Sequence, residues 1–209
     1  MKKLLFYACL AVLFNGFCYA ETLESGQIPP SEATIPSKTG YVLMIISQYN
    51  FVDSEYTIPK VAISRAGYTV EVASTSTREI AVGADIMKVR PNLTIEQIDT
   101  EKYKAVIYVG GYLSKKFFEN KVLIDKTREF ASKGTLIGAM DNIPYFMAQW
   151  GVLKDVKVTV NSSLVKGIKS MGINYVDKDI VIDKNFITVD NQLYSDEFTS
   201  IFLTELDKR

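Results

Sequence analysis

The carboxylate of Asp141 is the side chain of this sequence best placed for chemistry. It lies in the segment 135–151 (TLIGAMDNIPYFMAQWG), between an apolar run and a stretch that contains Pro144 and ends at Gly151. The run is typical of a buried strand, and proline in a first turn with glycine after the last turn is typical of a helix. In open α/β sheets, ligands bind in the crevice outside the carboxyl ends of the strands, where this strand-to-helix turn must lie. The segment therefore predicts an acid presented to a pocket.

The first twenty residues are typical of a bacterial-type secretory signal peptide. Lys2 and Lys3 precede an apolar core over 4–14, and the residues up to Ala20 form a small-x-small cleavage site. The apolar core is too short for a stable membrane span. We therefore expect a periplasmic or secreted protein, cleaved after Ala20 and not associated with a membrane after cleavage. A retained N-terminal anchor is the alternative.

The composition excludes several kinds of catalysis from the mature chain. Both cysteines, Cys9 and Cys18, lie in the signal, and the sequence has no histidine. Thiol and Ser-His-Asp catalysis, zinc sites built on thiolate or imidazole, and haem ligation by histidine are therefore not expected. Cleavage removes two of the 24 basic residues and none of the 24 acidic ones, which leaves a net charge of −2. This balance does not favour nucleic acid as a partner, and we expect no cofactor and no metal.

The apolar pattern predicts strands that alternate with helices. Residues 21–39 contain three prolines and no apolar periodicity, so we expect an extended leader before a domain over 40–209. Strands are predicted over 40–47, 69–74, 105–109, 136–140, 156–160, 180–182 and 186–189. Helices are predicted over 55–66, 120–133, the segment after Asp141, and 195–206. This alternation predicts one doubly wound α/β domain with a mainly parallel sheet and helices on both faces.

Several finer expectations concern the ends of these elements. Pro59 is expected to open or kink the first helix, because its ring does not fit comfortably in a helix interior. Residues 48–54 are expected to form a polar loop. A short helical turn over 94–99 is expected to be capped by Thr94, and the last helix by Ser195. Along 120–133 the side chains expected to face inward are Val122, Leu123, Ile124, Phe130 and Ala131.

Four stretches between Tyr41 and Leu206 carry motifs in a recognisable order. They are VLMIISQYNFVDSEYTIPKVAISRAGYTVEVAS, KYKAVIYVGGYLS, GTLIGAMDNIPYFMAQWGVLKDVKVTV and GINYVDKDIVIDKNFITVDN. They include a glutamate four residues before a proline and twelve before a glycine, a strand that ends in Gly-Gly, and an elbow of the form A-x-[nucleophile]-x-x-P. In these motifs the sequence resembles the DJ-1/PfpI superfamily. The resemblance implies a flavodoxin-like, class I glutamine-amidotransferase-like sandwich and a homodimer.

The resemblance also implies roles for two acids. Glu55 falls on the family's pocket glutamate, which hydrogen-bonds the nucleophilic cysteine, and Asp141 falls on the cysteine itself. Two carboxylates in one small pocket cannot easily both ionise, so one is expected to keep a proton. A helix N-terminus favours the charged form of Asp141, so we assign the proton to Glu55.

Four further residues are implied as ligand-binding. Gly110 and Gly111 fall on the pair whose backbone amides face the family's cysteine, as in an oxyanion hole. Asn142 falls on a position that is histidine in the protease- and glyoxalase-like members. Asn161 lies near another pocket position of the family. A simpler interpretation is that the glycine pair only forms a tight turn.

Three interpretations of Asp141 stay open. In the first, Asp141 is a helix cap with no further role. In the second, it imitates an oxidised cysteine, and in the third it is one half of an acid/base pair. Because the cysteine and histidine are missing, we expect an exported pseudoenzyme that binds a small ligand or a partner. The alternative is a hydrolase or lyase that uses Glu55 and Asp141, and a divalent metal held by the same pair is a weaker option.

Overall fold

A computed structural model describes residues 38–209 of the protein. The predicted signal peptide over 1–20 and the leader up to residue 37 lie outside the described residues. The strands are β1 (Tyr41–Ile45), β2 (Tyr49–Phe51), β3 (Thr69–Ser74), β4 (Ala81–Gly83), β5 (Lys88–Val89), β6 (Leu93–Thr94), β7 (Tyr103–Tyr108), β8 (Leu136–Met140), β9 (Lys157–Val158), β10 (Asn174–Tyr175), β11 (Ile180–Asp183) and β12 (Phe186–Val189). The helices are α1 (Asp53–Arg65), α2 (Lys115–Phe118), α3 (Lys121–Ser132), α4 (Ile143–Gln149), α5 (Val165–Ser170) and α6 (Ser195–Leu206).

A seven-stranded sheet forms the centre of the fold, in the order β11-β12-β8-β7-β1-β3-β6. All neighbours pair in parallel except β11 and β12, which form an antiparallel hairpin at one edge. Strands β2, β4 and β5 form a small separate sheet, and β9 pairs with β10 in another. The carboxyl ends of β1, β7, β8 and β12 therefore lie along one edge of the central sheet, where a crevice for ligands is expected.

Hydrophobic cores cover both faces of the central sheet. Along β1, Leu43 and Ile45 belong to one core and Val42 and Met44 to the other, because successive side chains of a strand point to opposite faces. Helices α3 and α4 contribute to the first core, and α1 and α6 to the second. The continuous apolar runs of the sequence are thus strands buried on both faces, as parallel sheets require. The predicted doubly wound α/β fold is confirmed.

Most predicted elements are present, with shifted ends. Helix α1 begins at Asp53, two residues earlier than predicted, and Pro59 lies inside it rather than at its start. The helical turn after Thr94 is a 3-10 helix, Ile95–Gln97, and the Gln97 side chain accepts the backbone N–H of Thr94 at 2.8 Å. Within residues 38–209 no helix combines the length and hydropathy that crossing a bilayer requires.

Four predictions about local structure were wrong. Residues 48–54 contain β2 and the start of α1 rather than only a loop. The strand predicted over 156–160 is limited to β9. This strand lies outside the central sheet and pairs with β10. Val122 is 38% exposed, because it lies at the solvent side of the first turn of α3. Ser195 is the first residue of α6 and not its cap; its hydroxyl donates to the carbonyl of Gln192.

Candidate functional site

Asp141 occupies a sharp turn between β8 and α4. Its φ is +53°, a left-handed conformation that few residues other than glycine adopt and that aspartate tolerates better than most. The backbone N–H of Asp141 donates to the carbonyl of Val189 at 2.9 Å, and its carbonyl accepts the N–H of Asn161 at 3.0 Å. The turn is therefore fixed on both sides, and a non-glycine residue held at positive φ is a feature that clusters at functional sites.

The Asp141 carboxylate is half-buried and held by a neighbouring amide. Nδ2 of Asn161 donates to its Oδ1 at 2.6 Å. Burial raises the pKa of Asp141, while hydrogen bonds from Asn161 and from the backbone N–H groups of Asn142 and Gly111 oppose that shift, and the net direction is upward. The amide donors keep the charged form accessible, because they stabilise the anion rather than the acid.

Glu55 lies on α1 with no exposed surface. Its Oε2 accepts the backbone N–H of Gly110 at 2.8 Å, and its Oε1 has no hydrogen-bond partner among residues 38–209. Burial, together with the negative charge of Asp141, raises the pKa of Glu55 to about 8, although the Gly110 N–H acts in the opposite direction. The raised pKa favours a protonated Glu55 at neutral pH, and the proton assignment made from the sequence stays a prediction.

The two glycines after β7 allow the acids to approach each other. A Cβ on Gly110 would lie 2.7 Å from the Cβ of Asp141 and 2.9 Å from Oε2 of Glu55, closer than such atoms can sit. Gly111 has a φ of +122°, and its carbonyl accepts Nδ2 of Asn142 at 2.7 Å. The amide of Gly110 thus faces Glu55, whereas the amide of Gly111 hydrogen-bonds Asp141, so only one of the two amides has the position expected for an oxyanion hole.

Glu55 and Asp141 both line a cavity of about 310 Å³. Of the six residues predicted for the site, Glu55, Asp141 and Asn161 line it, whereas Gly110, Gly111 and Asn142 are not among the lining residues. The full lining consists of Val52, Glu55, Ala84, Asp85, Asp141, Asn161, Asn191 and Gln192. The structure therefore brings together the elbow, the first helix and the loops after β4, β9 and β12.

Three polar residues of this wall, Asp85, Asn191 and Gln192, were not predicted from the sequence. The carboxylate of Asp53 accepts the backbone N–H groups of Asp85 at 3.0 Å and of Met87 at 2.8 Å, which fixes the hairpin loop against the start of α1. No local pattern marked this contact, which spans more than thirty residues. Asn191 and Gln192 did carry a signal, because they are polar residues that follow a predicted strand of the central sheet after Asp190.

The arrangement fits proton transfer or ligand binding better than metal binding. It offers one carboxyl that holds a proton near neutral pH and one carboxylate that accepts hydrogen bonds, the two requirements of an acid/base pair. Within the part of the chain that the structure describes, no group of three or more Asp, Glu, His or Cys side chains is placed to hold a metal ion. Glu55 and Asp141 would supply only two of the ligands that a divalent cation takes.

Comparisons with known proteins match nearly the whole described domain. Residues 41–205 match the DJ-1/PfpI family. An uncharacterized protein of Methanocaldococcus jannaschii is 29% identical over 211 residues, which cover 100% of this chain and 98% of that protein. Deglycase PfpI of Pyrococcus furiosus is 21% identical over 146 residues, or 70% of this chain and 87% of that enzyme.

A solved structure agrees with the fold. The crystal structure of a ThiJ/PfpI domain protein from Brachyspira murdochii superposes with a TM-score of 0.77, covering 82% of this chain and 99% of that one at 23% identity. This likeness concerns the architecture, a mostly parallel sheet flanked by helices. With the match over residues 41–205, it means that the chain belongs to the DJ-1/PfpI family.

Proposed function

We propose that this chain is an exported DJ-1/PfpI protein that binds a small ligand in the cavity between Glu55 and Asp141 and performs no cysteine chemistry. The observation that carries the proposal is the position of Asp141. A half-buried acid stands at the strand-to-helix elbow, beside a fully buried glutamate. The resemblance of the sequence motif implies that the family's nucleophilic cysteine falls at this position. The cavity provides the space for a ligand, at the small end of the usual range of binding sites.

The side chain of Asp141 is poorly suited to act as a nucleophile. A carboxylate attacks carbonyl groups far less readily than a thiolate, and the Oδ1 of Asp141 is already engaged by Asn161. No histidine exists in the sequence to activate another nucleophile, and both cysteines precede residue 21. Peptidase, glyoxalase and deglycase activities that depend on cysteine are therefore not expected of this chain, although several similar proteins are named deglycases.

Ligand binding is tested by nuclear magnetic resonance on the chain from Glu21 onward. A library of small fragments is added to ¹⁵N-labelled protein while the side-chain amide of Asn161 and the backbone amide of Gly110 are followed. Saturable shifts at both groups that disappear in Asp141→Asn would support the proposal. A library of acids, bases and neutral compounds that leaves both groups unmoved would overturn it.

A second candidate is a hydrolase or lyase that runs on the two acids. The specific observation is the pKa of about 8 for Glu55, which makes it a general acid at neutral pH beside a carboxylate that can serve as base. Ester, peptide and 2-oxoaldehyde substrates are screened with the parent, Glu55→Gln and Asp141→Asn. Activity in the parent that both variants lose would favour this enzyme over the pseudoenzyme.

Export and dimerisation complete the proposal. The basic start, apolar core and Ala20 cleavage site support secretion, and intact mass of the secreted protein should begin at Glu21. DJ-1/PfpI proteins are commonly homodimers, which supports the same state here. Light scattering after gel filtration should give twice the mass of the mature chain. A full-length mass in the cytosol, or a monomer at micromolar concentration, would contradict the respective part.

A further inference from the structure

The charged groups that line the cavity are all acidic. Glu55, Asp85 and Asp141 lie in its wall, and none of the eight lining residues is lysine or arginine. Asp190 is close enough that the negative charge of Asp141 contributes to raising its pKa, after burial and the charge of Asp179. With Glu55 protonated at neutral pH, a group that enters this cavity meets negative charge from Asp85 and Asp141.

The hydrogen-bonding groups of the wall also bear on the charge of a ligand. The amide donor of Asn161 is directed to Asp141, and that of Asn191 donates to Oδ1 of Asp190 at 2.8 Å. Each of these amides uses one of its two N–H groups in this contact, so the remaining N–H groups and the amide of Gln192, whose oxygen accepts the Ser54 hydroxyl, are the donors of the wall. The carboxylate oxygens that line the cavity are acceptors, so the wall suits a ligand that donates hydrogen bonds.

A second, independent observation points to a missing hydrogen-bond partner. Oε1 of Glu55 is buried without a partner among residues 38–209, although buried polar atoms are nearly always paired. Since Oε2 accepts the Gly110 N–H, a proton on this carboxyl resides on Oε1. A cation close to Asp141 favours release of that proton to solvent, because it stabilises the negative charge that remains. Oε1 then becomes one more acceptor for the cation.

We propose that this cavity takes a compact organic cation with a primary ammonium group, bound at the Asp141 carboxylate. The inference rests on the proposed function of the cavity as a ligand site. An ammonium group has three N–H donors for the acceptors of the wall. Val52 and Ala84 provide apolar contact for a short carbon body, and a volume of about 310 Å³ accommodates a compact cation. A bare divalent metal ion fits less well, since no cluster of three acidic, His or Cys ligands exists within 38–209.

Three probes of similar size and different charge test the proposal. Propylammonium chloride, propionamide and sodium propionate are titrated into the folded chain from Glu21 at constant ionic strength, with magnesium chloride as a fourth arm. The readouts are the Gly110 backbone amide and the Asn161 side-chain amide. The variants are Asp141→Asn, Asp85→Asn and, as a matched control, Asp125→Asn. The control removes one carboxylate from an exposed pair with Arg128 on α3, away from the cavity.

The expected result is saturable shifts with propylammonium only. Its affinity should fall at least about tenfold in Asp141→Asn, less in Asp85→Asn, and not at all in Asp125→Asn, since only the first two remove charge from the wall. Thermal melts confirm that each variant is folded, and Asp85→Asn keeps the test valid should Asp141→Asn unfold.

The other outcomes separate this inference from the proposed function. Saturable binding of propionamide or propionate equal to or tighter than that of propylammonium would overturn the cation class and leave a ligand cavity in place. Binding of magnesium alone, or propylammonium binding unaffected by Asp141→Asn and Asp85→Asn, would overturn the inference in the same way. If none of the four probes shifts either amide resonance, the cation class would be overturned, and the result would also count against the cavity as a ligand site.

Discussion

Asn161 contacts Asp141 twice, through its side chain and through its backbone. Nδ2 lies 2.6 Å from Oδ1 of the acid, and the backbone N–H lies 3.0 Å from its carbonyl oxygen. The same side chain turns its Oδ1 to the N–H and hydroxyl of Ser163, at 3.1 and 2.7 Å. Asn161 therefore ties the loop after β9 to the elbow and orients the carboxylate that the cavity presents.

Replacing Asn161 should change the titration of the elbow acid. In Asn161→Ala the pKa of Asp141 should rise further, because burial continues to disfavour the anion while the amide donor that lowered the pKa is gone. The measurement is a carboxyl ¹³C titration of the parent and the variant. Ser163→Ala is the control, since it alters the other end of the same side chain and leaves the Asp141 contact intact. Equal pKa values in Asn161→Ala and the parent would show that the contact has no electrostatic role.

The stability of the protein should fall as the pH rises from about 5 to about 8. The folded-state pKa of Glu55 is raised to about 8, so the folded chain keeps a proton over a range in which the unfolded chain has released it. Stability from this group is complete at the acid end and is lost as the pH approaches 8. The limiting slope for one proton is about 1.4 kcal/mol per pH unit.

Urea unfolding at several pH values measures this effect. In Glu55→Gln the decline should flatten, since glutamine keeps an acceptor for the Gly110 N–H and cannot ionise. The difference between the stability curves of the parent and Glu55→Gln gives the contribution of Glu55 alone. This separation is needed because the raised pKa of Asp141 acts in the same direction. A parent whose stability is constant or increases over this range would contradict the prediction.

The central strands could be predicted from sequence because each is an apolar run buried on both faces. The runs in β1, β7 and β8 carry that pattern regardless of what packs on them. Strands β2 and β9 could not be predicted in the same way. They are two or three residues long and are defined by partners outside the central sheet, so no period extends far enough to show them.

The site was predictable where the local sequence marks it and not where it depends on distant contacts. The elbow at Asp141 follows from a strand, two small polar residues and a proline, and Glu55 follows from family spacing. The contact of Asp53 with the loop that carries Asp85 joins segments 32 residues apart. The Asn161 amide could have faced solvent equally well, since only the tertiary structure directs it to Asp141.

Gly110 should tolerate no side chain. In Gly110→Ala the new Cβ would lie 2.7 to 3.0 Å from Asp141, Glu55 and the Met140 carbonyl. The Cβ of Asp141 and the carbonyl of Met140 cannot move away easily, because they belong to the elbow and to the backbone before it. Overpacking of this kind costs about 1 to 3 kcal/mol of unfolding free energy, and the separation of the two acids should increase.

Gly134→Ala provides the control for this prediction. Gly134 has a φ of +73°, and a Cβ added there would meet no atom within 4 Å, so only the backbone strain of about 1 kcal/mol is expected. Chemical denaturation gives the two stabilities, and carboxyl titration shows whether the coupling of Glu55 and Asp141 weakens in Gly110→Ala alone. A Gly110→Ala protein with unchanged titration would mean that the close approach does not set the coupling.

Oxidation of Asp141→Cys tests whether the acid imitates an oxidised thiol. A carboxylate and a sulfinate are both small anions that accept hydrogen bonds through two oxygens, whereas a neutral thiol is a weak acceptor. The reduced variant should therefore shift the Asn161 side-chain amide away from its parent position, because its acceptor is lost. Treatment with hydrogen peroxide to the sulfinate, verified by mass, should return the resonance towards the parent. The chain from Glu21 has no other cysteine, and Asp141→Ser under the same treatment should stay shifted. A sulfinate form no closer to the parent than the thiol form would show that aspartate does not stand in for oxidised cysteine at this elbow.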